Sequence, residues 1–144
     1  MIAALALAGC GSGEAPPAKA PEAKAGPVKA AAAPVRTGPA TFSGDVLPTL
    51  QANCLFCHFS GKEPGNLELT PAKAYAALVG KPAIGAPYEL VKAGSADDSY
   101  MIMKMEGTHQ ERGGIGAPMP FGQPVDAALI ARIRQWIDAG AKQD

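Results

Sequence analysis

From Thr41 onward, apolar positions recur at helical spacing in several stretches separated by glycine- and proline-rich runs. The clearest stripe is Leu129, Ile130, Ile133, Trp136 and Ile137. It predicts a helix over about 126–139, capped by Asp126 and stopped by Gly140, whose stripe packs into a core. Val46, Leu47 and Leu50 predict a first helix over about 43–57, with Pro48 near its start or kinking it. Thr70-Pro71 supplies an N-cap and a first-turn proline, and Gly80 closes that helix. A shorter helix is expected over about 96–105. The predicted fold class is all-α.

Before Thr41 no such stripe exists. After Cys10 the chain reads "GSGEAPPAKAPEAKAGPVKAAAAPVRTGP", almost wholly Ala, Pro, Lys and Gly. Such a stretch buries too little surface to offset its ordering entropy, so residues 10–40 are expected to be a disordered tether. All four Phe, all three Tyr and the single Trp follow Thr41, which places the folded domain at 41–144. The formal charge is zero: the tether is slightly basic and the domain slightly acidic. No clustered basic face is present, so nucleic acid is not an expected partner. Inside the domain, "GKPAIGAP" and "GGIGAPMPFGQP" are long loops for their setting. Long ordered loops usually wrap or do something. A domain with so few aromatic residues would gain from a large apolar group at its centre.

The chemistry concentrates in "NCLFCHFSGKEPGN", where Cys54, Cys57 and His58 lie within five positions. A thioredoxin-type pair needs a strand feeding a helix, whereas a helical pattern precedes Cys54. Structural zinc needs four ligands, and beyond the two cysteines only His58 and His109 remain. A disulfide between Cys54 and Cys57 leaves His58 unexplained. Cys-x-x-Cys-His is the c-type haem attachment signature and uses all three residues. On this reading Cys54 and Cys57 carry one haem c covalently, and His58 ligates its iron.

With those residues in place, the domain resembles the small monohaem c-type cytochromes of bacterial envelopes (class I-like). The resemblance runs through "FSGDVLPTLQANCLFCH", "LELTPAKAYAALVG", "SYMIMKMEG", "GAPMPFGQP" and "AALIARIRQWIDAGAK". It implies a cytochrome c-like fold of about four helices around one covalently bound haem, with the last helix crossing the first. It also implies that a Met in a Pro/Gly-rich loop supplies the second axial ligand. Met119 in "APMPFG", 61 positions after His58, matches that place. Pro118 and Pro120 stiffen the loop, and Gly113, Gly114 and Gly116 are expected to let its backbone approach the haem face. His109, read as exposed in "GTHQERGG", is the competing ligand; Met101, Met103 and Met105 are read as core and surface positions of one short helix.

The implied function is electron transfer: a His/Met pair fills both axial positions and raises the potential. No catalytic constellation and no small-molecule substrate are expected, so the chain is not read as an enzyme. Its expected partners are redox proteins of the cell envelope. Two alternatives stay open, a haem-based ligand binder or sensor with a labile Met119 bond, and a haem subunit of an envelope oxidoreductase complex.

The N-terminal "MIAALALAGC" is apolar up to small residues and a cysteine. Leu7-Ala8-Gly9-Cys10 resembles the lipobox of bacterial lipoproteins. That implies a signal peptide over 1–9, cleavage before Cys10, and lipidation of Cys10. The tether would then give the domain a reach of roughly 30 Å from the membrane, on its periplasmic or outer-surface side.

Overall fold

The computed structural model describes residues 36–144. Cys10 and the segment read as a signal peptide lie outside the described residues, as does most of the segment read as a tether. Among the described residues there are helices and loops but no strand.

The domain opens with a π-helical turn, Phe42–Val46, capped by Thr41, whose Oγ1 accepts from Gly44 N. Helix α1 follows directly over Leu47–Asn53, with Pro48 in its first turn, where a missing N–H costs nothing. It is shorter at its end than the sequence pattern suggests. Both Cys54 N and Leu55 N donate to Leu50 O, at 2.8 and 3.0 Å, so the helix widens and unwinds. The Cys54–Cys57 segment is therefore a turn, tied by Cys57 N and His58 N to Cys54 O, each at 3.1 Å.

Helix α2 spans Ala74–Leu78. It begins three residues later than Thr70-Pro71 predicts, and the Thr70 hydroxyl donates to Glu68 Oε1 rather than capping. Residues 79–91 then fold back on themselves. Gly80 N donates to Val91 O at 2.9 Å and Leu90 N to Lys81 O at 2.7 Å. Helix α3 covers Tyr100–Glu106 and ends at Gly107, whose φ of 77° is the left-handed stop that glycine adopts without strain. A single 3-10 turn, Gln110–Arg112, precedes the Gly/Pro loop. Helix α4 spans Ala127–Asp138, with the Asp126 side chain accepting from Ala128 N.

Ile130, Ile133, Trp136 and Ile137 of α4 are buried, and Leu129 is half-buried against them. This stripe meets the opening turn rather than the middle of α1. Phe42 sits 5.2 Å from Tyr75 and 5.6 Å from Trp136, ring centre to ring centre. Trp136 Nε1 donates to Lys142 O at 2.8 Å, which folds the C-terminal residues under the ring. Arg132 donates to the carbonyls of Gly38 and Pro39, at 2.6 and 3.3 Å. The last residues of the segment read as a tether are thus held on the domain. This core fills one side of the domain and leaves a hollow on the other, between α1, α3 and the Gly/Pro loop.

Candidate functional site

That hollow is a cavity of about 460 Å³, within the ~300–1,000 Å³ range of cofactor and ligand sites. Cys54, Cys57 and His58 line it from the turn after α1, and Met119 lines it from the Gly/Pro loop. The rest of its wall is mainly apolar, including Leu50, Leu69, Leu78 and Leu90, with Asn53, Tyr100 and Lys104 as its polar members.

The backbone of His58 is fixed on both sides. Its N–H donates to Cys54 O at 3.1 Å, and its carbonyl accepts from Leu69 N at 2.8 Å. The following loop is organised by Glu63, whose carboxylate accepts from Ser60 N, Ser60 Oγ and Lys62 N. Those bonds, led by the Ser60 hydroxyl, bring the Glu63 carboxyl down to about 2. Burial lowers the His58 imidazole below its usual range, while Glu63 pulls the other way. The neutral ring is therefore favoured, and a neutral imidazole is the form that binds a metal. His58 Nδ1 is enclosed without a hydrogen-bond partner. Burial, with Cys57 adding to it, pushes the half-buried Cys54 thiol up to about 11. Both cysteines are free thiols.

Met119 is half-buried, and its N–H donates to Lys104 O at 3.0 Å. Two further methionines face the same space. Met101 and Met105, one turn apart on α3, both line the cavity, whereas Met103 is buried outside its wall. The expectation of core and surface positions is corrected here: all three are buried. Their i, i+4 spacing was the signal that Met101 and Met105 share a face.

His109 also departs from its sequence reading. It is fully buried, not exposed, and it does not line the cavity. Its Nε2 lies 2.8 Å from Gly116 O, and its ring meets the edge of Tyr100 at 6.2 Å. Gly114 is likewise corrected. A Cβ there would lie 2.7 Å from the Tyr100 ring and 2.9 Å from His109 O, so the close approach is to α3 and its following turn, not to the cavity. Gly116, with φ 79°, does line the cavity.

A covalently held haem fits these residues. Two thiols and an imidazole border a hollow with few polar groups, and a thioether reaches it from a separate loop. The five large apolar side chains most exposed among the described residues, Phe56, Phe59, Ile84, Ile115 and Phe121, line the cavity or directly adjoin lining residues. A zinc site fits less well: among the described residues no three His, Cys, Asp or Glu side chains gather into a ligand set.

The chain matches no protein-family model, no curated protein and no solved structure.

Proposed function

We propose that the chain is an electron carrier of the cell envelope, holding one haem c through thioethers to Cys54 and Cys57. His58 and Met119 would hold its iron. The observation that carries this reading is the convergence of those four side chains, from segments far apart in sequence, on one apolar cavity.

When bound, the haem iron supplies a one-electron couple, and His/Met ligation sets its potential high. The chain's own residues do the rest. Cys54 and Cys57 would anchor the group from one turn, and the paired bonds on the His58 backbone hold that residue beside them. Leu50, Leu69, Leu78 and Leu90 keep water from the interior, which favours a compact, weakly reorganising site. With His58 and Met119 both on the iron, no position would be left on it for a substrate. The exposed ring of Phe56 and its neighbours at the cavity mouth offer a surface for redox proteins to approach. Lipidation at Cys10 completes the reading and keeps the domain beside membrane-bound partners.

The test is a visible spectrum of the full chain produced with haem-maturation machinery, followed by carbon monoxide on the reduced protein at neutral pH. The sharp bands of a six-coordinate c-type haem, unmoved by carbon monoxide, are expected. Ready carbon monoxide binding would instead favour a ligand binder, and a colourless protein would remove the haem reading.

A further inference from the structure

The loop that carries Met119 has little structure of its own. It is rich in glycine and proline, and no helix or strand fixes residues 113–125. Its backbone is nevertheless held from α3 and the turn after it, by Met119 N–H to Lys104 O and Gly114 N–H to His109 O, and above all by side chains. Three consecutive carbonyls are each bound from α3 or the turn after it. Ile115 O accepts from Lys104 Nζ at 2.9 Å and from the Tyr100 hydroxyl at 3.3 Å. Gly116 O accepts from Gln110 Nε2 and lies on His109 Nε2, each at 2.8 Å. Ala117 O accepts from Lys104 Nζ at 2.7 Å.

Two of these donors are costly choices. Lys104 is half-buried beside the Tyr100 ring, and no carboxylate among the described residues lies within ion-pair distance of it. Its ammonium is spent on two carbonyls, which are charge-assisted bonds and stronger than neutral ones. His109 is buried to completion, yet its Nδ1 has no partner. A leucine would fill that space without leaving a polar atom unsatisfied. What leucine lacks is a donor for Gly116 O: a carbonyl only accepts, so Nε2 carries the proton.

We infer that Lys104 and His109 are positioning residues that clamp the 115–117 backbone and so keep Met119 over the cavity. The inference rests on the haem reading above. Lys104 acts twice, since its own carbonyl also takes the Met119 N–H. The clamp sets how often the thioether leaves the iron. An external ligand binds only the open fraction, so its apparent affinity for the oxidised protein reports that fraction directly.

The experiment titrates cyanide into oxidised holoprotein and follows the red-edge charge-transfer band that marks Met ligation. Wild type is compared with Lys104→Met, Lys104→Arg, His109→Leu and His109→Gln; Met119→Ala sets the fully open limit. Lys104→Met and His109→Leu are expected to bind cyanide about tenfold more tightly than wild type. Arginine and glutamine keep a donor in reach, and they should bring the affinity back to within about threefold of wild type. Destabilisation elsewhere would lower the melting temperature without this pattern of rescue. Asp45→Asn, which breaks the buried Arg132 pair between α4 and the opening turn, is the comparison for that.

If either apolar variant fails to mature, Gln110→Ala is read in its place, with a gain of about two- to threefold expected from loss of one neutral bond. Unchanged cyanide affinity in variants that still show the band overturns the clamp and leaves the haem reading intact. A wild type with no band overturns Met119 ligation itself, and the clamp with it.

Discussion

The guanidinium of Arg132 grips the carboxylate of Asp45 with two parallel bonds, Nε to Oδ1 at 2.9 Å and Nη2 to Oδ2 at 3.1 Å. The pair is largely buried and joins α4 to the turn that opens the domain. Removing one partner of such a pair strands the other charge. Asp45→Asn is therefore expected to destabilise the holoprotein by about 2–4 kcal/mol in urea unfolding. A loss under about 0.5 kcal/mol would mean that Gly38, Pro39 and Gln135 satisfy Arg132 without the carboxylate.

The same carboxylate predicts a pH dependence. Burial acts to raise its pKa, but the hydrogen bond from Arg132 and that from Thr41 N–H more than offset it, and the net shift is downward. A depressed carboxylate pKa contributes stability that is present above the unfolded value, about 3.9, and lost as pH falls through the folded value. Between pH 7 and pH 5 this contribution should be constant, and below about pH 4 it should fade. Acid titration of unfolding free energy should show a shallower fall in Asp45→Asn than in wild type; parallel curves would remove Asp45 as the source.

Met119 is expected to be the distal ligand. Met119→Ala should abolish the red-edge band, lower the potential and open the iron to carbon monoxide. Met101→Leu and Met105→Leu, which keep the apolar wall, should retain the band. If Met119→Ala keeps it and either α3 variant loses it, then a methionine of α3 is the ligand and the Gly/Pro loop only covers the cavity.

Cys10 is expected to anchor the chain. Wild type should stay with membranes after a salt wash, and Cys10→Ser should not. Equal retention of both would place the anchor elsewhere.

Much of α4 was legible because its signals agree: a 3.6-residue stripe, an Asp cap and a glycine stop all fall within one short segment. Local signals misjudged the other helices where side chains compete with the backbone. The Thr70 hydroxyl turns to Glu68, and Leu50 O takes two donors where α1 ends. His109 was misread for another reason. Its neighbours in sequence are polar, but its burial comes from Tyr100 and from a loop glycine that allows close approach. Such a contact leaves no periodic trace in the sequence. Of the cavity's lining, Cys54, Cys57 and His58 could be named from their motif and Met119 from the family resemblance, and all four line one cavity. Tyr100 and Lys104 could not be named, since a tyrosine and a lysine four apart on a helix look like an ordinary edge of its face.

Covalent attachment of one haem to Cys54 and Cys57 underlies the proposed function. Its most direct test is the mass of the unfolded chain after maturation, measured in acidic organic solvent that strips non-covalent haem. Wild type should carry the mass of one haem, located on the peptide that contains Cys54 and Cys57, and the double variant Cys54→Ala/Cys57→Ala should carry none. A wild-type chain at its bare polypeptide mass, or a double variant that keeps the added haem, would contradict the account.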